Sequence, residues 1–412
     1  MEDIEIAKKV EKAGGRLYLV GGALRDKFLG KEEYDEDYCI TGLTDEEFIK
    51  IFPKAIIKGK AFKVYEIDKK EIALARKEIK TGKTHKEFKI KTNKNILLEE
   101  DLERRDITIN SIAQDVLTKE IIDPFEGRKD LKNKIIRATS PKFIEDPLRV
   151  YRVARFAAKL EFNVEEKTIE MMKSIKNELK YLPKERVFME FKKALETNKP
   201  SIFFNVLKKA EVLDVYFMPI YKLIGALQPE KYHPEGDSYN HTMIALDKAC
   251  NETTDLKIRF SVLVHDLGKG ETPKEEYPHH YNHEKRGVKI VEKFSSELGV
   301  PKSWKKCGKV ACLEHMRGGI FNKMKPAKKV EFIERIDKTI LGLHGLQIVV
   351  NCDKSRNDEV NKELYDFETI GKRCLEEVTA KKLIEKYNLK EGKSLGERLH
   401  QERVEWMKTL TN

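Results

Sequence analysis

The sequence has no apolar run that approaches the roughly 18 residues needed to cross a membrane, and no apolar secretion segment follows its acidic start. Its six cysteines form no Cys-x-x-Cys pair and have no histidine at zinc-finger spacing. Internal repeats and low-complexity tracts are also missing. Scattered cysteines in a long chain are typical of a reducing compartment. These absences exclude a disulfide-rich secreted domain and a repeat protein, and we expect a cytoplasmic protein with no membrane partner.

The chain is strongly basic. Of its 412 residues, 81 are Lys or Arg and 70 are Asp or Glu, which gives a net charge of +11 and a pI of about 9.0. A basic excess favours a polyanionic partner such as nucleic acid, although lysines that solvate helix faces produce the same balance. A chain of this length also favours two to four domains over a single core.

Periodicity divides the chain into a mixed N-terminal part and a helical remainder. Apolar alternation predicts strands at 17–20, 38–40, 55–57, 62–67 and 71–75, after a first helix over 1–13 whose apolar stripe includes Ile4. Residues 77–98 are polar and Lys-rich, which predicts a mobile loop. From Asp146 onward the pattern is almost purely helical, beginning with a helix over 148–160. We therefore predict an α+β fold with a mixed sheet and helices over 1–140, followed by all-α parts over 141–225, 226–345 and 346–412.

A glycine pair and an acidic pair give the N-terminal part its clearest functional signal. Gly21 and Gly22 follow an apolar strand, and a glycine turn there lets backbone approach phosphate groups. Asp35 and Asp37 alternate along an extended segment, so both carboxylates lie on one side of a strand. Two carboxylates beside a phosphate cradle can hold Mg²⁺ ions on a nucleoside triphosphate. Each pair alone could be a plain turn or surface acids; together with Arg25 at this spacing, they favour a nucleotide site.

A second motif couples arginines to an asparagine. Arg105 is followed by Asp106 and, four residues later, by Asn110. Such side chains can present donors to triphosphate and sugar oxygens, although an ordinary charged helix start has the same composition.

A third motif places acid and base on one helix face. Asp146, Arg149 and Arg152 recur every three residues. A carboxylate accepts a hydrogen bond from the exocyclic amine of cytosine or adenine, and a guanidinium donates to the neighbouring ring acceptor. Guanine and uracil carry a carbonyl oxygen where that amine would be, so Asp146 would reject them. A surface salt bridge is the alternative interpretation.

Together these motifs resemble the class II nucleotidyltransferases, the family of tRNA CCA-adding enzymes and bacterial poly(A) polymerases, whose signature blocks occur in order between residues 17 and 160. The resemblance implies a polymerase-beta-like head in which Asp35 and Asp37 bind catalytic Mg²⁺, with Glu71 as a candidate third carboxylate. It implies these nucleotide-binding residues: Gly22, Arg25, Arg105, Asp146, Arg149 and Arg152. The implied reaction is attack of a primer 3′-OH on the α-phosphate of CTP or ATP, with pyrophosphate leaving.

The family contains several activities that share this head. Residues 77–98 correspond to a loop that the family ties to the switch from C to A, and its presence argues against an enzyme that adds only CC. A poly(A) polymerase usually has a more basic, extended C-terminus. Poly(A) addition and partial CC or A addition remain alternatives, and so does a non-catalytic RNA-binding or nucleotide-sensing protein, which the Asp35 and Asp37 pair opposes.

A second candidate site lies in the helical part. His241, the adjacent His265 and Asp266, and the distant Asp353 can form a compact metal site, because imidazole and carboxylate suit Ni, Mn, Fe or Zn. A single histidine is more often a satisfied core or surface residue, but most of the ten histidines lie between residues 233 and 315.

The order of these residues resembles the HD metal-dependent phosphohydrolase superfamily, and phrases such as Val264-His-Asp-Leu-Gly-Lys-Gly resemble bacterial CCA-adding proteins that carry an HD domain. The resemblance implies a neck over 141–225, an HD domain over 226–345, an RNA-binding tail over 346–412, and catalytic roles for His265 and Asp266. It implies 2′,3′-cyclic phosphodiesterase, 2′-nucleotidase and phosphatase activities with a transition metal such as Ni²⁺. It also implies tRNA, CTP and ATP as partners of a monomer or homodimer. The remaining histidines are open between metal and phosphate binding: His279, His280, His283 and His315.

Overall fold

A mixed sheet forms the centre of the N-terminal part. The computed structural model describes residues 1–31, 36–58, 63–80, 88–91, 93–230, 234–354, 366–388 and 390–410. The strands in these residues are β1 (Arg16–Val20), β2 (Asp37–Thr41), β3 (Ile56–Lys58), β4 (Val64–Ile67), β5 (Lys70–Leu74), β6 (Lys77–Lys80), β7 (Phe88–Lys91), β8 (Ala113–Asp115), β9 (Ile121–Ile122), β10 (Ile135–Ile136) and β11 (Asn163–Val164). Seven of them form one sheet in the order β3-β4-β5-β2-β1-β8-β9, in which β2 and β5 are parallel and the other neighbours antiparallel.

The register of the central strands brings the functional motifs to one edge. Val20, the last residue of β1, lies opposite Asp37, the first residue of β2. Asp37 in turn pairs with Glu71 of β5. The glycine turn that follows β1 therefore begins beside two carboxylates on adjacent strands.

Helices cover this sheet and continue beyond it. They are α1 (Asp3–Lys12), α2 (Gly22–Phe28), α3 (Asp45–Ile51), α4 (Leu98–Glu103), α5 (Gly127–Asn133), α6 (Arg149–Leu160), α7 (Glu166–Ser174), α8 (Lys176–Leu179), α9 (Lys184–Leu195) and α10 (Ser201–Lys209). The buried face of α1 consists of Ile6, Ala7 and Val10, because these positions share one side of a 3.6-residue repeat. Ile4 was predicted to join them, but it is 48% exposed, since it lies off that face.

The prediction of a loop over 77–98 is partly wrong. β6 and β7 pair as an antiparallel hairpin with Lys77 opposite Lys91, and α4 begins at Leu98. Residues 81–87 and 92 lie outside the described residues. The Lys-rich composition hid the strands, because β6 has a single apolar residue and the alternation of Phe88 and Ile90 in β7 spans only four residues.

The C-terminal part is helical. Its helices are α11 (Asp214–Tyr221), α12 (Ser238–Glu252), α13 (Leu256–Val264), α14 (His283–Leu298), α15 (Lys302–Gly319), α16 (Pro326–Asp337), α17 (Gly342–Asp353), α18 (Phe367–Glu377), α19 (Ala380–Tyr387) and α20 (Lys393–Thr409). The chain forms two compact units, one of residues 1–194 and 202–215, the other of residues 195–201 and 216–412. No helix in the described part of the chain combines the length and apolar character required to span a membrane.

The central helix of the second unit is α13. Every residue from Ile258 to Val264 is buried, including Arg259, whose guanidinium donates to the backbone carbonyls of Leu195 and Thr197. Helices α12, α15 and α17 pack against α13. Gly308 of α15 allows close approach, because an added Cβ would lie 2.8 Å from Cγ2 of Val264. The end of α13 is thereby fixed inside the unit, and this is where His265 and Asp266 occur.

Candidate active sites in the two units

The first candidate site is a cleft of about 750 Å³ in the N-terminal unit. Its walls are the turn after β1, the start of β2, strand β5, the segment after α4, and helices α6 and α9. The sequence-predicted residues that line it are Gly22, Arg25, Asp37, Arg105, Asp146, Arg149 and Arg152. Asp35, predicted to bind Mg²⁺ with Asp37, lies outside the described residues.

One wall of the cleft carries carboxylates on adjacent strands. Asp37 and Glu71 both line it, and the parallel register of β2 and β5 places them side by side. Both offer oxygen atoms alone, which are the donors that Mg²⁺ prefers. The donor chemistry of this wall therefore fits a hard divalent cation.

The glycine turn after β1 leaves room for the guanidinium groups of Arg25 and Arg105. Gly21 has φ +71°, a conformation that side-chain-bearing residues rarely adopt, and an added Cβ would lie 2.6 Å from Nη1 of Arg105. Arg25 is buried and donates to Oδ1 of Asn110 at 2.5 Å and to both carboxylate oxygens of Asp26 at 3.0 Å. The first and second motifs of the sequence thus meet through these guanidinium groups.

Asp106 organises the back of the cleft. Its Oδ1 accepts from Nδ2 of Asn110 at 3.1 Å, and its Oδ2 accepts from Nε of Arg152 at 2.8 Å. Burial raises the pKa of Asp106, but Arg152 and the Asn110 amide outweigh burial and lower it to about 2. Asp106 is therefore an anion at neutral pH that holds Arg152 on α6.

Asp146 and Arg149, which the sequence predicts to read the base, both line this cleft, and each side chain hydrogen-bonds to backbone groups. Helix α6 begins at Arg149, and the carboxylate of Asp146 accepts from the backbone N–H of Leu148 at 3.1 Å just before it. The guanidinium of Arg149 donates to the backbone carbonyls of Lys142 at 2.6 Å and Arg104 at 2.5 Å. The two side chains line one cavity, with the guanidinium held in place by backbone rather than by Asp146.

Sequence reasoning missed further cations of the cleft. Arg155, Lys159, Arg186 and Lys193 also line it. Arg155 carries its guanidinium 3.9 Å above the ring of Phe156. Extending the spacing of three to four residues along α6 beyond Arg152 would have found Arg155 and Lys159, whereas the two cations of α9 have no motif of their own.

The second candidate site is a buried cluster in the C-terminal unit. His241 lies in the first turn of α12, His265 and Asp266 directly follow α13, and Asp353 ends α17. Oδ1 of Asp353 lies 2.9 Å from Nε2 of His241 and 3.2 Å from Nε2 of His265. Each of the four residues offers a ligand atom within 4.8 Å of the others. The structure brings together all four residues that the sequence assigned to this site.

Electrostatics at this cluster favour a cation. Burial lowers the pKa of His265, but Asp266 and Asp353 outweigh burial and raise it to about 10. Burial raises the pKa of Asp353, yet hydrogen bonds from His241 and His265 hold it well below the usual range of a carboxyl group. Both shifts show that the two carboxylates stabilise positive charge at this cluster, and a divalent ion can supply such charge.

Two supporting residues were given no role from the sequence, although one of them, Lys269, lies within the phrase Val264-His-Asp-Leu-Gly-Lys-Gly. Oε1 of Glu235 lies 2.6 Å from Nδ1 of His241, an arrangement that turns Nε2 toward the cluster. The ammonium of Lys269 lies 2.5 Å from Oδ2 of Asp266 and donates to Oε1 of Gln228 at 2.6 Å.

The structure separates the four remaining histidines. His283 begins α14 and His315 lies on α15; both are buried, and both approach Oδ1 of Asp266 at 3.4 Å. His280 instead contacts Oγ1 of Thr272 and the backbone carbonyl of Leu227. The ring of His279 stacks on Tyr281. Spacing alone could not distinguish the two pairs, because all four residues lie on segments that only the tertiary fold brings to α13.

Comparisons with known proteins agree with both sites. Three family models match: the poly A polymerase head domain over 17–137, the probable RNA and SrmB-binding site of polymerase A over 161–223, and the HD domain over 233–340. The multifunctional CCA protein of Nitrosococcus oceani is 35% identical over 401 residues, which cover 95% of this chain and 98% of that protein. The multifunctional CCA protein of Shewanella denitrificans is 44% identical over 297 residues, 70% of this chain and 71% of that one.

Solved structures share the fold. A CCA-adding enzyme in apo form II matches with a TM-score of 0.68 and 19% sequence identity, and the match covers 98% of this chain and 90% of that enzyme's chain. The Thermotoga maritima CCA-adding enzyme complexed with tRNA has a TM-score of 0.66 at 17% identity, covering 99% and 94%. The two sites, the order of the three matched families and the near full-length similarity to curated relatives agree: the chain belongs to the family of multifunctional CCA proteins, class II tRNA nucleotidyltransferases that carry an HD domain.

Proposed function

We propose that the N-terminal unit adds C, C and A to the 3′ end of tRNA from CTP and ATP, and that the C-terminal unit hydrolyses phosphate esters of nucleotides. The observation that carries the first activity is the cleft in which Asp37 and Glu71 face a glycine turn and a set of arginines. Membership of the family and the names of its curated relatives support the choice of tRNA as acceptor.

Asp35 and Asp37 are proposed to hold Mg²⁺, with Glu71 as a further ligand, since the described oxygen donors fit that ion. When bound, Mg²⁺ activates the primer hydroxyl and neutralises charge on the triphosphate. Arg25 and Arg105 provide fixed positive charge for the phosphates at the glycine turn. Their hydrogen bonds within the protein restrict their movement, so little ordering is required when the nucleotide binds.

Base selection is proposed for Asp146 and Arg149, with Arg152 as a further nucleotide contact. The carboxylate accepts from the amine that cytosine and adenine share, and the guanidinium donates to the adjacent ring acceptor. The carbonyls of Lys142 and Arg104 restrain the guanidinium of Arg149 without neutralising it. Asp106 anchors Arg152 by a charged pair. A rigid pair of this kind accepts cytosine and adenine. It rejects guanine and uracil, because their carbonyl oxygen would face the carboxylate of Asp146, which also only accepts hydrogen bonds.

The HD cluster is proposed to be a hydrolytic metal site with 2′,3′-cyclic phosphodiesterase, 2′-nucleotidase and phosphatase activities. Its imidazole and carboxylate donors suit a transition metal such as Ni²⁺, and His241, His265, Asp266 and Asp353 would hold it. When bound, such an ion polarises a phosphoryl oxygen and lowers the pKa of water. Glu235 fixes the ring of His241, and the ammonium of Lys269 adds positive charge beside Asp266.

We propose the functional division as head 1–140, neck 141–225, HD domain 226–345 and tail 346–412, with RNA contacts from the basic helical surfaces. On α15, we consider four lysines as candidates for phosphate contacts: Lys302, Lys305, Lys306 and Lys309. Lys305 and Lys309 each lie 2.6 Å from a carboxylate oxygen of Glu292. Their charge is therefore partly compensated, which leaves Lys302 and Lys306 as the stronger candidates on this helix.

Two pairs of alanine substitutions test the two activities separately. Asp35→Ala/Asp37→Ala should reduce nucleotide incorporation into a tRNA primer by more than 1000-fold, on the order expected when metal ligands are removed, and should leave hydrolysis of 2′,3′-cyclic AMP unchanged. His265→Ala/Asp266→Ala should abolish that hydrolysis and spare incorporation. Radiolabelled CTP and ATP measure the first activity and phosphate release the second.

Each double variant serves as the control for the other, since both keep the full chain. Incorporation at the wild-type rate by the Asp35→Ala/Asp37→Ala protein would overturn the assignment of the head. Unchanged hydrolysis by the His265→Ala/Asp266→Ala protein would overturn the assignment of the HD site and leave the head assignment intact.

A further inference from the structure

Lys159 lies in the last turn of α6 and lines the cleft of the N-terminal unit. Its side chain is 39% exposed, which leaves the ammonium accessible from the cleft. Arg149, to which we assign a contact with the base, begins the same helix about 15 Å away, since an α-helix rises about 1.5 Å per residue. The base-reading residues and Lys159 therefore lie at opposite ends of α6.

A series of short contacts connects Lys159 to the glycine turn after β1. Nζ of Lys159 lies 3.8 Å from Oδ2 of Asp26, and the same oxygen accepts a hydrogen bond from Nη2 of Arg25 at 3.0 Å. Nη2 of Arg25 in turn lies 3.3 Å from the position of a Cβ added at Gly22. The ammonium is therefore one carboxylate away from the guanidinium that adjoins the phosphate cradle. This places Lys159 at the triphosphate end of the cleft.

The N–H groups of Lys159 are unused, unlike those of the neighbouring arginines. Arg25 donates to Asp26, and Arg155 donates to Glu190. Among the residues that the structure describes, no acceptor lies within hydrogen-bond distance of the Lys159 ammonium, whose ion pair with Asp26 spans 3.8 Å. An ammonium has three donors and no acceptor, so these donors are available to a phosphate group in the cleft.

Lysine also differs from arginine in that it can release a proton, whereas a guanidinium stays protonated in proteins. Burial lowers the pKa of Lys159, and the nearby charge of Arg25 lowers it further. Lys31 and Arg155 act in the same direction, whereas Asp26 opposes them. A general acid is most effective when its pKa lies near the working pH, so a lowered pKa suits an ammonium to proton donation.

We propose that Lys159 is the general acid of nucleotidyl transfer and protonates the pyrophosphate as it leaves. The oxygen of the primer 3′-OH forms a bond to the α-phosphorus, and its proton is released to water. The bond between the α-phosphorus and the oxygen that bridges to the β-phosphorus breaks, and its electron pair stays on that oxygen. An N–H of Lys159 transfers its proton to this leaving group, and the neutral amine then takes a proton from water. The inference rests on the proposed nucleotidyl transfer.

Lys159→Arg tests this role in the full chain, because arginine keeps the positive charge and cannot release a proton. With a tRNA that ends before its CCA, we expect the single-turnover rate of CTP incorporation to fall about 100-fold, which is the lower end of the contribution of general acids. The Kd of CTP should stay within about threefold of the wild-type value. Lys31→Arg is the matched control and should keep the wild-type rate. Lys31 pairs with Oδ1 of the same Asp26 at 3.1 Å but does not line the cleft.

Two CTP analogues distinguish proton donation from a misplaced triphosphate. They carry a difluoromethylene or a methylene group between the β- and γ-phosphates, and the fluorines make the leaving group less basic. A less basic leaving group needs less protonation, so the loss caused by Lys159→Arg should shrink below about tenfold with difluoromethylene and exceed about 100-fold with methylene. If the arginine variant does not fold, as judged by circular dichroism, Lys159→Gln is measured with the same pair of analogues.

The outcomes separate this inference from the proposed function. A wild-type rate in the Lys159→Arg protein, or an equal loss with both analogues, would overturn the general acid and leave the proposed nucleotidyl transfer intact. The absence of incorporation by the wild-type protein would refute the proposed function and the general acid together.

Discussion

At the scale of single residues, the ionised carboxylate of Asp106 is the link between the motif after α4 and helix α6. It is buried, and Asn110 and Arg152 are its partners. A carboxyl group whose pKa falls on folding stabilises the folded state above its unfolded pKa, near 4, and loses that contribution as the pH falls toward its folded value. With a folded pKa of about 2, the contribution at neutral pH is about 2 kcal/mol.

We therefore expect Asp106→Asn to lower the free energy of unfolding of the N-terminal unit by about 2 kcal/mol at pH 6, and by roughly half as much at pH 3, which is still about one unit above the folded pKa. Denaturant titrations at the two pH values measure this difference. Glu126→Gln is the control, because Glu126 and its partner Lys129 are exposed and such pairs contribute little. An Asp106→Asn effect of equal size at pH 6 and pH 3 would contradict the assigned ionisation.

The residues of the cleft were largely predictable, whereas their mutual contacts were not. Spacing along the chain identified Asp37, Arg105 and Asp146 because each belongs to a short local motif. It could not show that the guanidinium of Arg149 is bound by backbone carbonyls, since those carbonyls come from segments 7 and 45 residues away. Hydrogen bonds between distant segments depend on the tertiary fold, which a local pattern does not encode.

At the scale of elements, the turn between β1 and α2 has the most direct effect on chemistry. Gly21 and Gly30, at the two ends of α2, both have positive φ, at +71° and +76°. An added Cβ at Gly21 would meet the guanidinium of Arg105, whereas nothing lies within 4 Å of one at Gly30. The two positions therefore share backbone strain and differ in their effect on the cleft.

Gly21→Ala should reduce kcat/KM for CTP at least about 10-fold, because Arg105 must move away from the triphosphate position. Gly30→Ala should cost a similar amount of stability, on the order of 1 kcal/mol, and keep the wild-type kinetics. Steady-state incorporation and thermal unfolding of both variants separate the two effects. Equal kinetic loss in the two proteins would mean that strain in α2, not the contact with Arg105, limits the reaction.

Helices and strands were predictable from the sequence where burial of one face makes apolar residues recur at a regular spacing. The apolar runs of β1 and β2 and the periodic helix α6 gave boundaries within two residues of those observed. The hairpin of β6 and β7 was missed because its strands are rich in lysine. Strand pairing in such segments comes from backbone hydrogen bonds, which leave no mark on composition.

At the scale of the whole molecule, the chain combines two compact units with different donor chemistry. The N-terminal cleft offers carboxylates and guanidinium groups, which fit a hard cation and a triphosphate. The HD cluster offers imidazoles and carboxylates, which fit a transition metal. A single sequence could predict both units because each carries its own motif. The contact of His283 and His315 with Asp266 depends on the packing of α15 on α13, and of α14 on α15 and on the segment Leu267–Glu271.

The central claim is that this protein completes the CCA end of tRNA, and one extension assay tests it most directly. A tRNA that ends before its CCA is incubated with Mg²⁺ and CTP, ATP or both, and the products are resolved at single-nucleotide length. The account predicts two added nucleotides with CTP alone and three, with no further growth, when both are present. A long ladder of A would instead identify a poly(A) polymerase. A stop at CC when both nucleotides are present would identify a partial enzyme. The absence of any extension would contradict the assignment of the N-terminal cleft.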